Sequence, residues 1–134
     1  MTIFSFLFGA RGAEPGRLET KQEEASRLKK DRLVLKALLD AGSNLSKPHR
    51  LEHHFVTYHR DEADAVFADK AAAGYEVSEL RTLKDEHDRD YWYFDLIKAV
   101  VPGERAIFAE TLRMTTLERR HDVLYDGWGC NIEK

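Results

Sequence analysis

The side chains best able to do chemistry in this sequence are its histidines, and the adjacent pair His53-His54 is the first candidate for a metal site. Neighbouring residues on a strand point to opposite faces of a sheet, so this pair cannot chelate one ion together. If the last predicted strand pairs antiparallel with the first, His121 falls near Tyr58 or His59. No carboxylate or cysteine stands at a spacing that would complete a ligand set there. We therefore expect no metal site and no cofactor.

Nucleophilic and acid–base catalysis have no better candidates. Cys130 has no neighbouring base, and no serine lies in the Gly-x-Ser-x-Gly turn of hydrolases. Gly127-Trp128-Gly129 does not match a phosphate-binding loop, because such loops lead into a helix and no helix can form in the five residues that follow. The acidic stretch 85–90 lacks the spacing of a calcium loop and is expected to be a solvated hairpin tip. We therefore expect a protein that is not an enzyme.

The composition is that of an ordinary folded domain. The 134 residues are 43% hydrophobic and 34% charged, with a net charge of only −3, unlike the composition of disordered chains. The sequence lacks the basic surplus typical of nucleic-acid-binding domains, which argues against a dedicated nucleic-acid binder. A single cysteine excludes an internal disulfide and favours a cytoplasmic protein.

Residues 1–16 are expected to form an apolar tail and linker, followed by a single domain at 17–134. The apolar run from Ile3 to Phe8 is much shorter than the roughly 20 residues of a membrane-spanning helix. No positive charge precedes it, as one would in a signal peptide. The tail either packs on the domain or is partly disordered, or it is a docking segment for a partner or a membrane surface.

A long helix is predicted at 17–42. Thr20 and Glu23 have the spacing of a capping box, Glu23 and Arg27 form an i,i+4 pair in the favourable order, and Gly42 suits the residue after the last turn. Apolar residues recur mainly in its second half. The second half is therefore expected to pack on the domain, with the charged first half solvated.

The rest of the sequence predicts the order β-α-β-β-α-β. The expected elements are a strand at 51–58, a helix capped by Asp61 and ended by Gly74, a weaker strand at 75–83, a strong strand at 91–101, a helix opened by Pro102, and a strand at 121–132. This order predicts an α+β, ferredoxin-like fold: one four-stranded antiparallel sheet with two helices on one face and the first and third strands in the middle. The extra N-terminal helix either covers the other face or leaves it open.

Aromatic residues on the strong strand raise the question of what that other face does. Strict alternation divides the strand into two sets, Trp92, Phe94 and Leu96 on one face and Tyr91, Tyr93 and Ile97 on the other. Exposed aromatics on middle strands stack bases in the RNA-recognition fold, and Phe55 or Tyr58 could contribute. The basic glycine-aromatic signature of that fold is missing. We favour packing of this face against the N-terminal helix and keep an RNA-binding module as the alternative.

Three motifs carry a family resemblance. They are Glu52-His53-His54, Gly74-Tyr75-Glu76-Val77 and Tyr125-Asp126-Gly127-Trp128-Gly129. With the order of elements and the preceding helix, they resemble the matching segments of the regulator of ribonuclease activity B (RraB) family over roughly Leu18 to Glu133. The resemblance implies a ferredoxin-like fold and a bacterial inhibitor of ribonuclease E that acts by binding the nuclease. Members of that family are markedly acidic, often with an acidic C-terminal tail, whereas this sequence is nearly neutral and ends at Lys134.

The resemblance implies a partner, ribonuclease E or a related RNA-degradation enzyme, and a surface that binds it. The expected partner-binding residues are Glu52, His53, Glu76, Tyr125, Asp126 and Trp128, with carboxylates to pair with basic side chains and aromatic rings as anchors. The expected structural residues are His54, Gly74, Tyr75, Gly127 and Gly129. A structural role is equally open for the first set, and we favour it for Trp128 and for the glycines, since glycine in a strand marks a bulge or a bend.

Overall fold

The computed structural model describes the backbone of residues 2–4 and residues 17–134 in full. In chain order its elements are β1 (Thr2–Phe4), α1 (Lys21–Asp40), β2 (His49–Thr57), α2 (Arg60–Ala68), β3 (Glu76–Val77), β4 (Arg81–Lys84), β5 (Asp90–Val100), α3 (Glu104–Arg120) and β6 (Leu124–Asn131), with a 3-10 turn at Lys70–Ala72. The described chain is thus an α+β structure with three α-helices and an antiparallel sheet.

The ends of α1 follow the local sequence signals. The Thr20 hydroxyl accepts a hydrogen bond from the Glu23 backbone N–H at 3.1 Å, and the Glu23 carboxylate accepts one from the Thr20 N–H at 2.9 Å, which confirms the capping box. Gly42 has φ +88° directly after the helix, the left-handed conformation expected of a terminating glycine. The predicted pair of Glu23 with Arg27 is wrong, because Glu23 binds Arg17.

The other two helices begin close to the predicted positions, but with different caps. The N-cap of α2 is His59, so Asp61 lies in the first turn, where a carboxylate still interacts favourably with the helix dipole. The N-cap of α3 is Gly103, so Pro102 precedes the helix and is not part of it. The predicted position of Asp61 as the cap and that of Pro102 in the first turn are therefore wrong by one or two residues.

The sheet has the strand order β1-β6-β2-β5-β3, and β4 also pairs with β5. The prediction that the first and third strands of the β-α-β-β-α-β unit lie in the middle is confirmed, since β2 and β5 each have neighbours on both sides. The sheet is wider than the predicted four strands because the short β1 pairs with β6. The weak strand expected at 75–83 is divided into β3 and β4, which follow one another along the same edge of β5.

All three helices contribute to one face of the sheet. Buried residues of α1 and α3, among them Leu38 and Met114, form a continuous core with Phe55 of β2 and Phe94 of β5. The favoured prediction that the N-terminal helix packs on the opposite face is therefore wrong. Its apolar residues Val34, Leu35 and Leu38 join the same core as the other helices. None of the three helices packs on the opposite face, which we call the open face.

The predicted N-terminal tail falls mostly outside the described residues. Only the backbone of Thr2–Phe4 is described, and it pairs antiparallel with Asn131 to Gly129 of β6. Within the described chain, no helix combines the length and the apolar character needed to cross a membrane. The two interpretations of the tail therefore stay predictions.

Candidate functional site

A β-bulge in β6 decides which side chains face the helices and which face outward. Phe55 of β2 lies opposite Tyr125, and His53 lies opposite Trp128, so two residues of β6 lie opposite the single residue between Phe55 and His53 on β2. Gly127 sits in this bulge with φ +93°. Strict alternation would place Tyr125 and Trp128 on opposite faces, but the extra residue brings both to the helix-covered face. The prediction that these glycines mark a bulge or bend is confirmed at Gly127.

Beneath the helices, Trp128 belongs to what we call the Asp31 cluster, formed by Asp31, Thr111 and Trp128. The indole N–H donates to Asp31 Oδ1 at 3.2 Å, and the Thr111 hydroxyl donates to Asp31 Oδ2 at 2.5 Å. Arg27 in turn donates to Thr111 Oγ1 at 3.0 Å. Burial raises the pKa of Asp31 to about 6, against the opposing effect of the bonds from Thr111 and Trp128. The cluster ties α1, α3 and β6 together.

A second buried group, the His53 cluster, consists of His53, Tyr75, Glu110 and Tyr125. His53 Nδ1 is 2.8 Å from the Tyr125 hydroxyl, and its Nε2 is 3.5 Å from Glu110 Oε1. The Tyr75 hydroxyl donates to Glu110 Oε2 at 2.6 Å. Burial lowers the pKa of His53. Burial alone would raise the pKa of Glu110, but the contacts from His53 and Tyr75 lower it overall.

These two clusters account for half of the predicted partner-binding residues. His53, Tyr125 and Trp128 are 0%, 4% and 1% exposed, so their side chains present no surface to a partner. The burial of Trp128 agrees with the structural alternative favoured for it. His53 and Tyr125 are buried in the same way and bond to each other, so the structure offers no exposed surface on them for the predicted contact. Tyr75 bonds to Glu110, and its structural role stays a prediction.

Sequence reasoning missed the two acids that complete these clusters, Asp31 and Glu110. Both lie at positions of the apolar helix spacing: Asp31 stands three residues before Val34, and Glu110 three residues after Ile107. A carboxylate on the apolar stripe of a helix must be buried, and a buried carboxylate needs hydrogen-bond donors. That spacing was the available signal.

The open face carries a groove with a volume of about 780 Å³, which we call the tyrosine groove. It extends over β2, β5, the end of β4 and the start of β6. Its lining residues are His54, Phe55, Val56, Thr57, Tyr58, His59, Leu83, Asp85, Glu86, Tyr91, Tyr93, Asp95, Asp122, Leu124 and Asp126. Five of these residues carry carboxylates, and none is a lysine or an arginine.

Three tyrosines form a row along this groove. The ring centroids of Tyr58 and Tyr91 are 6.2 Å apart, and those of Tyr91 and Tyr93 are 6.5 Å apart. The predicted division of the strong strand is confirmed, because Phe94 is buried under the helices while Tyr91 and Tyr93 line the open face. The contribution expected from Tyr58 is also present.

Histidines pair with two of the groove's carboxylates. His54 Nδ1 lies 2.7 Å from Asp95 Oδ1, and His59 Nε2 lies 3.2 Å from Asp122 Oδ2. The prediction that His53 and His54 point to opposite faces is confirmed. His121 bonds to Asp69 at 2.8 Å rather than joining His59. In the part of the chain that the structure describes, no three His, Cys, Asp or Glu side chains are grouped to hold a metal ion.

Beyond the groove, the open face has a second charged area around Arg50. Arg50 lies 3.4 Å from a Glu52 oxygen and 3.2 Å from a Glu76 oxygen. The Glu76 side chain is 65% exposed and the Glu52 side chain 31% exposed, so both are accessible. Asp126 lines the groove itself, but it is only 6% exposed. These are the three predicted partner-binding residues that the structure brings to one face.

Of the predicted structural glycines, Gly74 precedes a strand, Gly127 lies in the bulge and Gly129 lies within β6. Gly74 has φ +85° just before β3, and Gly129 pairs with Glu52 of β2 on one side and with Phe4 of β1 on the other. His54, also predicted as structural, lies on the groove with its ring half-buried. The motifs therefore shape the boundary between the core and the open face.

Comparison with known proteins gives one consistent result. Residues 28–130 match the family model described as Regulator of ribonuclease activity B. A protein of that name from Actinobacillus succinogenes is 31% identical over 102 residues, which cover 76% of this chain and 72% of the relative. The corresponding values for Haemophilus influenzae are 32%, 76% and 67%, and for Escherichia coli 28%, 90% and 83%. The matched segment contains both buried clusters and the whole tyrosine groove.

Proposed function

Since the chain belongs to the regulator of ribonuclease activity B family, we propose that it binds ribonuclease E in the cytoplasm and modulates RNA processing and decay. The family is named for regulation of a ribonuclease and not for an enzymatic activity. The α+β fold with an antiparallel sheet supports this role, and we propose that it is a ferredoxin-like fold widened by the edge strand β1. The contact surface we propose is the open face.

The observation that carries this proposal is the charge of the tyrosine groove. Its lining contains five carboxylate residues and no lysine or arginine. Surfaces that bind RNA are basic, because they must neutralise phosphates. An acidic groove on a regulator is complementary to such a surface on a nuclease, and tyrosines are frequent anchors of protein interfaces.

The alternative function, direct RNA binding, has one observation in its favour. The row formed by Tyr58, Tyr91 and Tyr93 could stack bases as aromatic side chains do in single-strand-binding proteins. The same surface would bring phosphates close to Asp85, Asp95 and neighbouring carboxylates, which repel them. Salt-dependent binding to single-stranded RNA that weakens in Tyr91→Ala and Tyr93→Ala would support this alternative against the proposal.

The proposal is tested by measuring binding of the purified protein to ribonuclease E from the same organism, with RNA cleavage followed in parallel. Tight binding with altered cleavage is expected. Tyr93→Ala and Asp122→Asn, both in the groove, should each weaken binding by about fivefold or more, the effect of losing about 1 kcal/mol at an interface. Asp64→Asn is the matched control, since Asp64 is exposed on α2.

The remaining predicted contacts, Glu52 and Glu76, are tested with the double change to glutamine. These side chains lie toward the Arg50 end of the open face, so they would act as rim charges. We expect a slower association rate, a weaker salt dependence and almost unchanged thermal stability, because exposed ion pairs contribute only about 0–1 kcal/mol. Equal association rates for the variant and the wild type would exclude this end of the face from the interface.

A further inference from the structure

One cation of this protein already lies against the acidic groove. Arg89, in the hairpin between β4 and β5, has its guanidinium carbon 4.8 Å from the centroid of the Tyr58 ring. Its Nε donates to Asp85 Oδ2 at 3.0 Å. Tyr58 and Asp85 both line the groove, whereas Arg89 does not. An aromatic face and a carboxylate that hold one guanidinium between them are the two components of an arginine-binding site.

We propose that Tyr58 and Asp85 form an arginine subsite, which Arg89 occupies in the free protein and which an arginine of the partner occupies in the complex. The occupant is an arginine-containing protein segment, because the groove around the subsite is acidic and aromatic. This inference rests on the proposed function in one respect, namely that the partner is a protein. Arg89 then acts as an internal competitor that lowers the affinity of the groove for weak ligands.

The subsite does not depend on the Arg89 side chain for its shape. Asp85 Oδ1 accepts hydrogen bonds from the backbone N–H groups of His87 and Arg89 at 2.8 and 2.9 Å. Asp85 Oδ2 accepts the Tyr58 hydroxyl at 2.8 Å. The backbone bond from Arg89 is the largest of the effects that hold the pKa of Asp85 well below its usual range. The carboxylate therefore stays ionised and positioned when Arg89 leaves.

Displacement of Arg89 is energetically easy. Its side chain is 62% exposed, while that of Asp85 is only 12% exposed. An exposed ion pair is weak because water screens it. An incoming arginine would stack on Tyr58 and bond to Asp85 as Arg89 does. The rest of the partner segment would lie near Tyr91 and the other carboxylates of the groove. Lysine would bind less well, because its ammonium lacks the planar fork that stacks on a ring while bonding a carboxylate.

The experiment measures binding of a short fluorescent peptide of alternating arginine and glycine to the full chain by anisotropy. Arg89→Ala should bind it about two- to fivefold more tightly than the wild type, the range expected for releasing an exposed ion pair and cation–π contact. Lys84→Ala is the matched control. It removes the same charge from the same hairpin, and Lys84 pairs with Asp90 outside the groove. It should show a clearly smaller gain.

The second variant is Tyr58→Leu, with folding checked by circular dichroism. It should weaken binding of the arginine peptide and abolish the preference over the matching lysine peptide. Equal gains for Arg89→Ala and Lys84→Ala would reduce the effect to net charge and overturn the subsite. Unchanged peptide binding by a folded Tyr58→Leu would overturn it as well.

Repeating the series with ribonuclease E separates the two proposals. If the nuclease binds the wild type and Arg89→Ala equally, while the peptide also shows no gain, the subsite fails and the proposed function stands. If Arg89→Ala tightens peptide binding but neither protein binds the nuclease, the arginine subsite stands and the identity of its partner is wrong.

Discussion

The two faces of the sheet treat their polar side chains in opposite ways. On the helix-covered face, Trp128 and Tyr75 donate hydrogen bonds to the carboxylates of Asp31 on α1 and Glu110 on α3. These polar groups are therefore bonded inside the protein. On the open face, carboxylates such as Asp122 and Glu76 are 41% and 65% exposed. The polar groups of the first face position the helices on the sheet, whereas the exposed carboxylates of the second face are the ones that we propose bind a partner.

The same three motifs supply both faces. In Glu52-His53-His54 the middle residue is buried and the outer two face outward. In the last motif all three large side chains are buried, but Tyr125 and Trp128 face the helices while Asp126, 6% exposed, lies on the groove side. A motif read from the sequence as one functional unit is therefore divided by strand alternation and by the bulge. The inward-facing residues of each motif hold the strand in place, and so they position the outward-facing residues that we propose contact a partner.

The sharpest test of the difference between the faces is Trp128→Ala. This change should lower the free energy of unfolding by about 3–5 kcal/mol, because it empties a large buried volume. It also removes the indole N–H that donates to the buried Asp31 carboxylate. Thermal unfolding followed by circular dichroism measures the loss, and an unchanged melting temperature would show that Trp128 is not a core residue.

Tyr93→Ala is the counterpart on the open face. Its ring is half-exposed in the groove, so truncation should cost much less stability than Trp128→Ala while weakening partner binding. A loss of stability as large as that of Trp128→Ala would mean that the open face is covered in the folded protein. The contrast between the faces would then break down.

The parts of the fold that were predictable rest on local signals. The capping box of Thr20, the stop at Gly42 and the alternation on β5 each depend on residues a few positions apart, so the sequence displays them directly. The alternation of strand and helix patterns along the sequence predicted the order of the elements, and glycine within the last strand predicted a bulge or bend near Gly127. The central position of β2 and β5 followed from that order.

The parts that were not predictable depend on long-range contacts. Arg27 bonds to Glu19 and to the carbonyl of Phe108, which is 81 residues away, and not to the nearby Glu23. The prediction of the sheet face on which α1 packs was wrong for the same reason, because the hydrogen bond between Trp128 and Asp31 joins residues 97 positions apart. The tyrosine groove is assembled from four strands and their loops, and only the tyrosines were recognisable beforehand.

Asp31→Asn sharpens the comparison through pH. The folded-state pKa of Asp31 is raised from 3.8 to about 6, mainly by burial, so its contribution to stability is fully present below about pH 4 and is lost as pH rises through about 6. Asparagine cannot ionise. The unfolding free energy of the wild type relative to Asp31→Asn should therefore fall by about 3 kcal/mol between about pH 4 and about pH 8.

Denaturant unfolding of both proteins across this pH range measures the difference. The lowered pKa of His53 makes the protein less stable in acid, but it does so in both proteins and cancels. A constant difference between wild type and Asp31→Asn would contradict a buried, mostly ionised Asp31 at neutral pH.

Gly127→Ala tests the bulge that assigns residues to the two faces. Alanine at φ +93° is strained by about 1–3 kcal/mol, so stability should fall by that amount. Gly74→Ala is the control, since Gly74 has φ +85° with no atom within 4 Å of an added Cβ, and it reports backbone strain alone.

If β6 relieves the strain by losing its bulge, Asp126 leaves the groove, and Gly127→Ala should also weaken partner binding. Because Gly74 is not among the residues that line the groove, Gly74→Ala should lose stability without losing affinity for the groove's partner. Equal affinity for both variants would show that the bulge serves the core alone.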